Sequence, residues 1–246
     1  MLATLTAVSC GLAAPAEKPG WKLTIDDEFD GSHLDLDKWT PTDPWGTERN
    51  NELQAYVTNA FDVVGGFLRL KAEKNNAFYG GKQRAITSGM MTTYGKFSQK
   101  FGRFEIRCRV PKGKGMWPAF WLLPEPLAWP PEIDVLEVLG HEPHKIYMTH
   151  HYLDAQRRHK SHGGSWDGSD FSADFHEFAV EWSPQRILWF VDGVERFHSE
   201  DAIPSGKMYM LINLAVGGDW PGAPSEQTRF PAALEVDYVR AYQKAW

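Results

Sequence analysis

Apolar and polar residues alternate with period two along most of the chain, the spacing that sends successive side chains to opposite faces of a β-strand. RFEIRCRV sets Phe104, Ile106, Cys108 and Val110 on one face and charged residues on the other. The same pattern predicts strands over Phe101 to Val110, Trp117 to Leu123, Glu132 to Leu139, Lys145 to Tyr152, Glu177 to Trp182, Lys207 to Leu214 and Leu234 to Gln243. Turn dipeptides between apolar runs predict two hairpins: FDVV and FLRLKAE joined by Gly65-Gly66, and RILWFV and VERF joined by Asp192-Gly193. No stretch carries a long helical period. So many short strands with turn signals between them predict an all-β fold, a sandwich or jelly roll of two packed antiparallel sheets.

The chain has 246 residues, 42% of them hydrophobic, enough for one sizeable core. No composition shift, repeat, low-complexity block or long apolar span divides it, so a single domain without a membrane-spanning segment is expected. A net charge of −6 with no basic run excludes the footprint needed for nucleic acid and disfavours a sulfated polymer. A neutral partner fits better. Three of the eleven tryptophans, Trp45 (DPWG), Trp129 (AWPP) and Trp220 (GGDWPG), sit in Gly/Pro-rich loops where no core element requires them.

Residues 1–16, MLATLTAVSCGLAAPA, are small and apolar and give way to EKPG, which reads as a secretory leader with Ala14-Pro15-Ala16 at the cleavage position. AVSC offers a second reading, a lipoprotein leader with Cys10 lipidated; a disordered tail is the third. A secreted or cell-surface location, periplasmic or lipoprotein-anchored included, follows from either leader. Once the leader is removed, Cys108 alone remains, so no disulfide framework forms. Its place on an apolar strand face marks it as an inert core residue.

One predicted strand breaks the pattern. In PEIDVLEVLG, Glu132 and Asp134 share a face, whereas Glu137 points to the core if the strand is regular. A β-bulge at Val135 or Leu136 restores Glu137 to the face of the other two acids. Three carboxylates lining one cleft repel one another, and their proton affinities spread apart until one stays protonated near neutrality while another is ionised. That is the pair of states a glycosidase uses. The plain alternative is an edge strand whose acids are simply solvated. Upstream, GMWPAFWLLP puts Trp117 and Trp121 on one face, where indoles serve as core or as stacking platforms for sugar rings.

Taken together, EIDVLE, GMWPAFWLLP, WGTERNNELQAY, FHEFAVEWSP, WFVDGVERF, LINLAVGGDWPG and VDYVRAYQ resemble glycoside hydrolase family 16 over about Trp21 to Gln243. The likeness is strongest to its laminarinase-like branch, endo-β-1,3-glucanases and their mixed-linkage relatives. It implies a catalytic domain over 21–246 with the β-jelly-roll architecture, a concave cleft and retaining hydrolysis, in which Glu132 is the nucleophile, Glu137 the general acid/base and Asp134 the partner that tunes the nucleophile. It further implies that Trp117 and Trp121 support the sugar nearest the cleavage point and that Asn51 and Glu52 bond glycone hydroxyls. His151 would contact the leaving-group side, Trp129 would bind substrate, and Trp220 would stack on a sugar or pack its loop. Asn51 and Glu52 could equally cap a turn. Pro131 departs from the small residue that many relatives carry before the first Glu.

The chemistry implied needs no cofactor. A metal held by the histidines of HEPH and THHY is disfavoured, because Pro143 breaks a helical presentation and adjacent His150 and His151 face opposite ways on a strand. The family resemblance does imply a structural Ca2+, with a side-chain oxygen from Asp237 and backbone carbonyls near Glu28 and Gly66; a solvent-facing Asp237 is the alternative. The expected partner is a polysaccharide, a β-1,3-glucan or mixed-linkage β-1,3-1,4-glucan, met by a monomer. Rival readings keep the fold but change the substrate to a galactan, change hydrolysis to transglycosylation, or make the chain a non-catalytic glucan-binding module. The intact acid triplet argues against the last.

Overall fold

A computed structural model describes residues 17–244; the leader expected over 1–16 lies outside the described residues. The strands in chain order begin with β1 (Trp21–Asp27), β2 (Gln54–Tyr56), β3 (Phe61–Val64), β4 (Phe67–Ala72), β5 (Ala77–Tyr79) and β6 (Lys82–Arg84). Then come β7 (Ile86–Ser88), β8 (Met90–Thr92), β9 (Gly102–Arg109), β10 (Met116–Pro124), β11 (Glu132–Val138) and β12 (Lys145–Leu153). The last are β13 (His159–Asp167), β14 (His176–Trp182), β15 (Ile187–Val191), β16 (Val194–Ser199), β17 (Met208–Val216) and β18 (Ala232–Lys244). No helix among the described residues is long and apolar enough to cross a membrane.

Two antiparallel sheets face each other in a jelly-roll sandwich. The six-stranded sheet runs β13-β12-β11-β10-β17-β8; the eight-stranded sheet runs β16-β15-β14-β9-β18-β4-β3, with β1 also paired to β18. The alternation explains how they meet: Phe104, Ile106 and Cys108 of β9 turn inward against Ile133, Leu136 and Val138 of β11 in one continuous apolar cluster. Polar partners of that alternation are then forced outward. On the eight-stranded sheet they are arginines and acids; on the six-stranded sheet they become the floor of a cleft.

Both predicted hairpins form across the predicted dipeptides. Asp192 and Gly193 have φ of 50° and 75°, and Gly65 and Gly66 have 66° and 79°. Positive φ at both central residues is the turn geometry that matches strand twist, and it explains why glycine and aspartate stand there. The other predicted strands appear with ends moved by one or two residues. The clearest omission is β13, HKSHGGSWD, a nine-residue edge strand beside β12. Its two glycines and polar residues hide any alternation, since little of it is buried.

Candidate functional site

The acids sit where a bulge turns the strand. Against β10, Leu136 pairs with Phe120 and Asp134 with Trp121, so Val135 is the extra residue; against β12 the register also shifts between Asp134 and Glu137. Val135 and Leu136 both remain buried, 1% and 0% exposed. The backbone absorbs the insertion while both apolar side chains stay in the core, and Glu132, Asp134 and Glu137 all line one cleft of about 800 Å3. From the opposite sheet, the buried indole of Trp189 on β15 donates across the core to the Asp134 carbonyl at 2.7 Å, securing the backbone at the register shift.

Each acid has a different set of neighbours. Trp129 Nε1 donates to Glu132 Oε2 at 3.1 Å, and Trp117 Nε1 donates to Glu137 Oε1 at 3.0 Å. His151 Nε2 lies 3.3 Å from Asp134 Oδ2 and 3.7 Å from Glu132 Oε1. No lysine or arginine forms an ion pair with any of the three among the described residues. Burial therefore raises the pKa of all of them, and mutual repulsion raises them further: Glu132 against Asp134, Asp134 against Glu137. Glu137 is pushed up to about 7, by burial first and the Glu132 charge second, with the Trp117 hydrogen bond and His151 working in the opposite direction. Protons in this cluster belong to the set rather than to one residue. Asp134 is the deepest, 4% exposed, and its Oδ2 has no hydrogen-bond partner. Its contact with Glu132 works in opposite directions on the two, raising the Glu132 pKa and lowering that of Asp134.

Trp117, Trp121, Trp129, Trp220, Glu52 and His151 also line the cleft. Trp220 packs edge-on against Trp117 and Tyr147, with ring centroids 5.4 and 4.7 Å apart. Trp121 stacks on Trp45 at 6.1 Å and donates Nε1 to Asn213 Oδ1 at 2.8 Å. Asn213 in turn donates to the Tyr56 hydroxyl, and buried Glu52 accepts from Gln54, Asn50 and Tyr56. This chain of bonds fixes the Trp121 ring before any sugar arrives. Burial raises the Glu52 pKa, with Gln54 the main hydrogen bond holding it down.

Asn51 is the exception. Its side chain is exposed and bonds Asp219 Oδ1 at 2.8 Å, outside the cleft; Asn50 takes the place in the lining that the sequence suggested for Asn51. Both residues have positive φ, 50° and 54°, and two successive left-handed residues twist the chain so that Asn50 rather than Asn51 meets Glu52. Asn213 was readable in principle, as one amide inside the apolar strand LINLAV. Trp189 was not, since an indole in an apolar run signals only core.

The expected calcium position does not fit these residues. Asp237 Oδ2 is held by Arg107, and the Glu28 carboxylate takes a two-pronged bond from Arg240, both contacts at 2.7 Å. A cation there would share its one carboxylate with a guanidinium, and repulsion at that distance opposes it. The positive charge the region requires is already supplied by arginine.

Residues 49–240 match the family model described as glycosyl hydrolases family 16. The chain is 37% identical to a beta-glucanase of Rhodothermus marinus, over 92% of this chain and 86% of that protein. It is 36% identical to an endo-1,3-1,4-beta-glycanase of Rhizobium meliloti over 83% of its length, though it spans only 47% of that longer protein. The laminarinase catalytic domain of Thermotoga maritima superposes with a TM-score of 0.82 at 33% identity, covering 92% of this chain and 99% of the other. With a matched domain spanning most of its described residues and the acid triplet in the cleft, the chain belongs to glycosyl hydrolases family 16.

Proposed function

We propose that the chain is a retaining, endo-acting glycoside hydrolase that cleaves β-1,3-glucan of the laminarin type or mixed-linkage β-1,3-1,4-glucan by double displacement. The observation that carries this reading is the pair of carboxyls on one bulged strand, Glu132 and Glu137, each facing the cleft with its own indole donor. In the first step the Glu132 carboxylate attacks the anomeric carbon while Glu137 gives its proton to the departing glycosidic oxygen. In the second, Glu137, now a carboxylate, takes a proton from water as the water attacks the glycosyl ester and frees Glu132. A pKa near 7 suits that double duty. Asp134, next on the same strand face, shares a proton with Glu132 and so steadies the leaving carboxylate.

The relatives' names support the substrate: one is a beta-glucanase, one an endo-1,3-1,4-beta-glycanase, one a laminarinase. An open cleft with aromatic rings spread along it suits a polymer bound in mid-chain. A polymer of that size is met outside the cell, in keeping with the leader-like residues 1–16. Reducing-end release from laminarin, lichenan, cellulose and agarose tests the substrate; the expected result is release from laminarin, lichenan or both. Release from agarose alone would move the reading to a galactanase. The first product should be the β-anomer by proton NMR, and an α-anomer would overturn double displacement.

A further inference from the structure

Three residues from two neighbouring strands converge at the cleft floor, Glu132 and Asp134 of β11 and His151 of β12, with one donor atom of each within 4.8 Å of the others. We propose that they form a binding site for a zinc-like divalent ion, which would occupy the nucleophile and block sugar entry. That the bound ion blocks catalysis rests on the reading of Glu132 as nucleophile; that it binds does not.

The spacing is the first support. A tetrahedral zinc with bonds of about 2.0 to 2.1 Å holds its ligand atoms about 3.3 to 3.4 Å apart. His151 Nε2 lies 3.3 Å from Asp134 Oδ2 and 3.7 Å from Glu132 Oε1, and the donor atoms of all three residues lie within 4.8 Å of one another, so the carboxylates have at most about 1.5 Å to close. The second support is Asp134: its Oδ2 is buried, accepts no hydrogen bond and lies 3.3 Å from His151 Nε2. An acceptor in that position requires a proton or a cation. Glu132 is also arranged for it, since Trp129 occupies Oε2 and leaves Oε1 toward His151.

The imidazole is oriented from behind. His159 Nε2 of β13 lies 3.0 Å from His151 Nδ1, with the two rings stacked at 5.2 Å. When an ion takes the place of the Nε2 proton, the proton kept on His151 Nδ1 is donated to His159 and Nε2 offers its lone pair, the form in which imidazole binds metal. Two carboxylate oxygens and one imidazole suit zinc or cobalt and are too few hard ligands for calcium.

The test is a titration of the whole protein with Co2+, read by visible absorption, followed by displacement with Zn2+. The expected result is the intense absorption of a four-coordinate cobalt site, lost on adding Zn2+ and unaffected by Ca2+ or Mg2+. His151→Gln should weaken binding by at least about 10-fold, and His159→Ala by about 10-fold through loss of the orienting partner. His198→Ala, an exposed histidine away from the cleft, should leave it unchanged. Zn2+ should raise the apparent KM for laminarin without changing kcat. Only the weak absorption of six-coordinate cobalt, undiminished binding in a folded His151→Gln protein, or inhibition that laminarin does not relieve would each overturn the site. A protein that hydrolyses no glucan would sink the proposed function, while the cobalt spectrum would still decide the metal.

Discussion

The two sheets treat outward-facing acids in opposite ways. On the eight-stranded sheet acids meet arginines: Glu105, Glu177 and Glu181 surround Arg103, Glu235 meets Arg69 and Arg109, Asp237 meets Arg107 and, just past β1, Glu28 meets Arg240. On the six-stranded sheet Glu132, Asp134 and Glu137 share one imidazole, and their other polar neighbours are indole N–H groups. The charges around Arg103 outweigh its burial and raise its pKa, locking it as a cation. In the cleft His151 and the indole donors offset burial only in part, so the carboxyls hold protons at a pH where ordinary ones do not. Acids with counterions hold a sheet together; acids without them hold a proton ready to move.

Exchanging the roles of these acids shows the largest difference. Glu132→Gln should reduce kcat by at least about 10^3-fold, because the amide cannot form the glycosyl ester. Its thermal midpoint should hold or rise, since the change removes a buried charge and its repulsion with Asp134. Arg103→Met should do the reverse. It leaves Glu105, 0% exposed, short of its main counterion, with Lys18 and, more weakly, Arg240 the remaining cations within ion-pair distance. Arg240 Nη1 stands farther off, at 3.9 Å. A loss of about 3 kcal/mol or more in urea unfolding is expected, with kcat within about twofold of the parent. If Arg103→Met proves as inactive as Glu132→Gln while still folded, the division of labour between the sheets is wrong.

The pH dependence sharpens the comparison by a smaller step. Glu137 releases its proton near 4.5 when the chain is unfolded and near 7 when folded. Between those values folding takes up a proton, so this group's contribution to stability falls as pH rises from 4.5 to 7 and stays lost above. Glu137→Gln removes that loss. The variant should match the parent near pH 4 and exceed it at pH 8 by at most about 3 kcal/mol, less to the extent that the half-buried carboxyl is screened. The alkaline limb of kcat/KM, centred near pH 7 in the parent, should disappear with it. Parallel stability curves for the two proteins would mean that Glu137 does not carry the proton.

Much of this was legible beforehand, for a specific reason. A strand that buries one face announces itself through alternation, so β9, β10, β11 and both hairpins could be read from the chain. The acid triplet was legible because it violated that alternation, and the violation required a bulge. What escaped obeys no period. The polar edge strand β13 has almost no buried face, so His159 could not be placed beside His151. Asn50 replaced Asn51 in the cleft because two consecutive left-handed residues twist the loop, which residue types alone do not specify. Arg107, which holds Asp237 where calcium was expected, is brought there only once β9 lies beside β18.

The smallest effect isolates how the outer sheet serves the cleft. Trp189 and Trp182 are both fully buried on the eight-stranded sheet, and each donates its indole N–H to a backbone carbonyl: Trp189 to Asp134 at 2.7 Å, Trp182 to Pro204 at 3.0 Å. Changing either to Phe keeps an aromatic ring in the core and leaves one buried carbonyl without its donor, a cost of about 1–3 kcal/mol. Stability should therefore fall alike in Trp189→Phe and Trp182→Phe. Only the first carbonyl belongs to the bulged strand, and only its release lets the Asp134 backbone shift relative to Glu132 and Glu137. Trp189→Phe should lower kcat with little change in KM and displace the alkaline limb, while Trp182→Phe keeps the parent's profile. Should both variants show the parent's pH profile at equal loss of stability, the cross-core bond is a structural tie with no hand in setting the acids.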